Sequence, residues 1–113
     1  MKPGETYQEY KQRLLAKVKE IVLALEPEAE IYLFGSRARG DFTEDSDWDL
    51  LILLPGVVDW QRKNRFIYAI NQIEIIESDI FNSIIISKKD WYESNRFQHT
   101  PFYKFVEKEK VYL

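Results

Sequence analysis

Residues 34–50 read FGSRARGDFTEDSDWDL, and the apolar run LLILL follows at residues 50–54. Gly35 and Ser36 come directly after the apolar segment EIYLF, residues 30–34. Asp47 and Asp49 flank Trp48 at the entrance to the next apolar run. Acids at the mouth of a core strand are costly unless something compensates them. Side chains alternate across a strand, so Asp47 and Asp49 face the same side, with Cα atoms about 6.6 Å apart. Two like charges about 4 Å apart repel by roughly 4 kcal/mol at an effective dielectric near 20. A divalent cation between them reverses that sign. Mg²⁺ suits such a half-site, because it keeps several waters and takes further oxygen ligands from substrate phosphates.

The Gly-Ser pair gains meaning beside those acids. A glycine after a strand lets backbone approach a ligand closely. The N–H groups that open a helical turn favour phosphate, Ser36 adds a hydroxyl, and Arg37 and Arg39 add cations. Phosphate donors on one turn and metal ligands on the next strand are two halves of a nucleotidyl-transfer site. The chemistry would be metal-assisted in-line displacement.

Outward from this stretch, strands alternate with helices. Tyr7, Tyr10, Leu14, Val18, Ile21, Val22 and Leu25 recur at three- and four-residue steps, predicting a helix over 5–26 that Pro27 ends. Residues 30–34 read as a strand, and Ser36 as the N-cap of a short turn. The continuous apolar run over 48–54 reads as a strand covered on both faces. Trp60, Phe66, Ile67, Ile70 and Ile73 predict a helix over 58–76. Residues 79–87, DIFNSIIIS, read as a third strand. Ser87 opens a short helix, and Thr100-Pro101 caps a final one over PFYKFVEKE. The expected fold is α/β (α+β): a small three- to four-stranded mixed sheet covered by helices, in a single domain over 1–113.

The composition limits the function classes. The net charge is −3, which argues against a nucleic-acid binder held by a general basic field. The absence of cysteine excludes disulfides and thiolate metal sites. No stretch is apolar for the roughly 18 residues of a membrane span, and the polar N-terminus does not read as a signal peptide, so the expectation is a cytoplasmic protein with no membrane partner. Trp48 reads as core, and His99, the acids Asp41, Glu44 and Asp45, and the basic Arg62, Lys63 and Arg65 read mainly as solvated. The aromatic set Tyr92, Phe97, Phe102, Tyr103 and Phe105 either covers the sheet or forms a partner surface.

The stretch LFGSRARGDFTEDSDWDLLILL resembles the signature of the DNA polymerase β-like nucleotidyltransferase superfamily, and within it the single-domain minimal nucleotidyltransferases. The resemblance implies that Gly35 and Ser36 bind the triphosphate, with Arg37 and Arg39 beside them, and that Asp47 and Asp49 hold two Mg²⁺ ions. The substrate would be a nucleoside triphosphate, ATP by preference, and the product a nucleoside monophosphate on an acceptor hydroxyl. Many such proteins are encoded beside a small helical partner of the HEPN type, and some are antitoxins that adenylylate a tyrosine of that toxin. A protein acceptor fits this chain, and an RNA acceptor is the other option. The family carries a third carboxylate on the next core strand, where this chain has Asn82 and Ser83. Either Asp79, at the start of that segment, supplies it, or the third acid is absent. Two functions therefore compete: a Mg²⁺-dependent nucleotidyltransferase, and a weak or inactive module of the same fold that neutralises its partner by contact.

Overall fold

A computed structural model describes all of residues 1–113. Helix α1, Tyr7–Leu25, starts at a capping box: the Thr6 hydroxyl accepts from the Glu9 N–H, and the Glu9 carboxylate accepts from the Thr6 N–H. Its buried stripe is Tyr10, Leu14, Val18 and Val22. Strand β1, Glu30–Phe34, leads into the one-turn helix α2, Ser36–Arg39. Strand β2, Trp48–Leu54, is followed by helix α3, Trp60–Glu77, and strand β3, Phe81–Ser87. Three short helices complete the second layer: α4, Lys88–Glu93, α5, Asn95–Gln98, and α6, Pro101–Glu109. Strand β4, Val111–Tyr112, closes the chain. No helix is long and apolar enough to cross a membrane.

The sheet order is β3-β2-β1-β4. β2 pairs antiparallel with β1 and parallel with β3, and β4 pairs antiparallel with β1. The mixed sheet predicted from sequence is therefore present. The parallel pair requires a crossover, which α3 supplies. Alternation divides β2 between two cores. Trp48, Leu50, Ile52 and Leu54 face α1 and α3, together with Ile31, Leu33, Phe66, Ile70 and Ile85. Leu51 and Leu53 face the C-terminal helices, against Trp91 and Val106. Burying both faces explains why this strand is apolar at consecutive positions.

Three expectations need correction. Trp60 is not in the buried stripe of α3: it lies in the first turn and is 70% exposed, while Phe66, Ile70 and Ile73 are buried. Gly35, not Ser36, caps α2, because φ of 76° puts the turn one residue earlier. The third strand starts at Phe81 rather than Asp79, since Ser78 ends α3 in the left-handed region with φ 58°. The two-residue strand β4 has no periodicity of its own in the sequence. The C-terminal aromatics divide: Phe97 and Tyr103 pack around Trp91, whereas Tyr92, Phe102 and Phe105 are exposed.

Candidate active site

The sheet register brings Phe34, Asp49 and Asn82 into one row, because Phe34 pairs with Asp49 and Asp49 with Asn82. The row lies where β1 ends and β2 begins, and it faces the layer of α4 to α6. Asp47 precedes β2 by one residue and turns to the same side. The Asn82 amide Nδ2 donates to Asp47 Oδ2 at 3.0 Å and to Asp49 Oδ1 at 3.1 Å. The two carboxylates thus converge on one point, as alternation predicted.

Burial pushes the Asp49 carboxyl above the usual carboxylate range. The Asn82 amide and Arg39 pull it down, and the negative charges of Asp47 and Glu109 push it further up. A hard cation in place of the amide would relieve this repulsion and would find two carboxylate ligands, a number that suits Mg²⁺. No three Asp, Glu or His side chains come together closely enough to hold a metal ion between them.

Gly35 lies directly against Asp49. A methyl group at Gly35 would come within 2.1 Å of Asp49 Oδ2, and the backbone at Gly35 has φ of 76°. Only glycine meets both demands. The Gly35 N–H donates at 3.0 Å to Glu109 Oε1, and Arg39 Nη1 donates at 2.9 Å to Glu109 Oε2. Arg39 also pairs with Asp41 at 3.3 Å. Ser36 opens α2, whose first N–H groups have no partner within the helix.

Two residues expected at the site lie elsewhere. Arg37 is only 4% exposed. Its guanidinium stacks 4.4 Å from the Trp48 ring and 4.7 Å from the Phe42 ring. It donates to the Ser46 carbonyl at 3.0 Å and to the Glu44 carbonyl at 3.4 Å. Arg37 therefore holds the loop of residues 40–47 from the opposite face of the sheet. It cannot present its cation to a ligand beside Gly35 without leaving those rings. Asp79 is also on that opposite face. Its Oδ1 accepts from the Tyr10 hydroxyl and, at 3.3 Å, from Trp48 Nε1. Trp48 points away from the acid pair, so Asp79 does too. Asp79 precedes β3 but shares the face of Ser83, as alternation implies, and the register pairs Ser83 with Leu50, so that face is the one turned away from the acids.

The position beside Asp49 on the neighbouring strand belongs to Asn82. Strand pairing could have located Asn82, once β2 and β3 were taken as parallel neighbours. Glu109 had no signal in the sequence: it lies 74 residues from Gly35, at the end of a helix with its own amphipathic pattern.

The sequence model of the nucleotidyltransferase domain family matches residues 15–113. Two proteins of Methanocaldococcus jannaschii, each provisionally named a protein adenylyltransferase, are similar in sequence. One is 41% identical over 59 residues, which cover 52% of this chain and 59% of that protein. The chain therefore spans less than two thirds of that relative's length. The other is 40% identical over 78 residues, covering 60% of this chain and 78% of its own. Among solved structures, a chain of a toxin–antitoxin complex with AMP-PNP superposes with a TM-score of 0.61 at 15% identity, over 86% of this chain and 69% of that one. That likeness is one of fold. The domain match takes in the Gly35-Ser36 turn, the acid pair and all four strands, and on it the chain belongs to the nucleotidyltransferase domain family.

Proposed function

We propose that this chain is a Mg²⁺-dependent adenylyltransferase that moves AMP from ATP to a hydroxyl of a partner protein. We propose further that the partner is a small helical toxin of the HEPN type and that modifying it neutralises it. The observation that carries the reading is the convergence of Asp47 and Asp49 on one point beside Gly35. The provisional names of the two archaeal relatives support the adenylyl group and the protein acceptor.

In this reading Asp47 and Asp49 would hold the metal. When bound, Mg²⁺ would supply activation of the attacking hydroxyl and neutralisation of charge on the leaving pyrophosphate. Gly35 has no side chain, so the triphosphate approaches the backbone directly, and Ser36 and Arg39 contribute a hydroxyl and a cation. Arg37 acts at one remove, by fixing the loop that delivers Asp47. The acceptor oxygen attacks the α-phosphorus in line and pyrophosphate leaves. An amide has no basic site to take the hydroxyl proton, so Asn82 orients the acids but does not deprotonate the acceptor.

The same residue favours a second reading. With Asn82 beside the pair, and Asp79 on the other face, the chain has two carboxylates where three would serve catalysis better. A protein built this way would neutralise its partner by contact, with nucleotide turnover slow or absent.

The deciding experiment incubates the chain with α-labelled ATP, Mg²⁺ and the protein encoded beside it. The adenylyltransferase reading expects label on the partner, and none after Asp47→Asn combined with Asp49→Asn. Absence of label, or label that survives the double substitution, contradicts it. A double variant that still neutralises the partner establishes the contact reading instead.

A further inference from the structure

We propose that Glu109 is a built-in occupant of the phosphate position, which the nucleotide must displace in order to bind. The inference rests on the nucleotide reading above. The Glu109 carboxylate accepts from the Gly35 N–H through one oxygen, at 3.0 Å, and from the Arg39 guanidinium through the other, at 2.9 Å. Those two donors are two of the three groups, with Ser36, assigned to grip the triphosphate. A carboxylate and a phosphate make the same kind of charge-assisted bond to a backbone N–H and to a guanidinium. One backbone N–H cannot serve both at full strength.

The contact is well formed. The Glu109 side chain is 11% exposed, and both of its oxygens are used. It joins segments 74 residues apart, so it is not a local helix pairing. It also brings a third negative charge toward Asp49, which lies directly against Gly35. An acid held close to other acids gains its place from the two donors, and a polyanion with its own metal would take both donors and remove the repulsion together.

Displacement has a mechanical consequence. Glu109 is the last residue of α6, and Lys110 follows as its C-cap. Val111 and Tyr112 then pair with Leu33 and Tyr32, just upstream of Gly35 on β1. Releasing Glu109 unties the end of α6 from the turn and leaves the following segment held to β1 mainly by the two-residue pairing of β4. Nucleotide binding is thereby linked to loosening of residues 107–113, next to the exposed Phe102 and Phe105 of the same helix. The free protein holds the turn in a competent shape but with its donors filled. Its apparent affinity for nucleotide is reduced by the fraction of molecules in which Glu109 is in place.

Two measurements on the full chain test this. Calorimetric titration of Mg²⁺-ATP compares the wild type with Glu109→Ala and Glu109→Gln, each checked for folding by thermal melting. At least about fivefold tighter binding is expected in either folded variant, because the competing acceptor is gone. Hydrogen exchange of the wild type, which needs no variant, is expected to speed up across residues 107–113 when Mg²⁺-ATP saturates it. Unchanged or weaker binding in the variants, or unchanged or slower exchange in the wild type, overturns the proposal and leaves the nucleotide reading standing. Failure of Mg²⁺-ATP to bind the wild type and both variants overturns the two together.

Discussion

At Gly35 the smallest change has the largest consequence. Gly35→Ala sets a methyl group 2.1 Å from Asp49 Oδ2 and forces a side chain into the left-handed region. Stability is expected to fall by about 1–3 kcal/mol, read by urea denaturation. Asn82→Asp tests the opposite sign. Without metal, a third acid beside Asp47 and Asp49 lowers the melting temperature. With Mg²⁺ the loss is expected to reverse, and AMP transfer to rise by about tenfold or more, as for a gained proton acceptor. A rate that does not change would show that the third acid is not what limits the reaction. The acid pair was legible in the sequence because the two residues stand two apart on one strand, and alternation is a local rule. Asp79 shares the face of Ser83, and only the pairing of Ser83 with Leu50 shows that this face is turned away from the acids, which neither strand reveals by itself.

Arg37 shows what an element needs in order to hold a loop. Its guanidinium lies among the rings of Tyr7, Phe42 and Trp48 and bonds the carbonyls of Glu44 and Ser46. Arg37→Ala removes both the stacking and the donors, and leaves those carbonyls without this partner. A loss of about 2–4 kcal/mol is expected, together with faster proteolysis within residues 40–47. Arg37→Lys is not expected to rescue, since an ammonium neither stacks as a plane nor forks between two carbonyls. The sequence offered Arg37 and Arg39 as equal cations. Their different fates follow from where each projects from the single turn of α2, which no spacing rule resolves. At the other end of the fold, Arg62 of α3 pairs with Glu26 at the C-cap of α1. The Arg62 hydrogen bond holds the Glu26 carboxyl below the usual glutamate range. A lowered folded pKa means the stabilisation is present above the unfolded value and is lost as pH falls through the folded one. Glu26→Gln is therefore expected to cost about 1 kcal/mol at pH 7 and nothing in strong acid, measured as the difference in unfolding free energy.

Over the whole molecule, the mixed sheet and its two covering layers were legible, because β1 to β3 and the two long helices each carry an apolar pattern of their own. The strand order was not, and neither was β4, which exists through its pairing with β1. Contacts between distant segments were equally silent, Glu109 with Gly35 above all. The fold brings the end of β1, the starts of β2 and β3 and the end of α6 to one place, where the acid pair sits. The most direct test of that pair as the metal site is calorimetric binding of ATP with Mg²⁺ and with chelator, to the wild type and to the Asp47→Asn, Asp49→Asn double variant. Binding that requires Mg²⁺ and is lost in the double variant is expected. Binding that is indifferent to Mg²⁺, or intact in the double variant, would contradict that assignment.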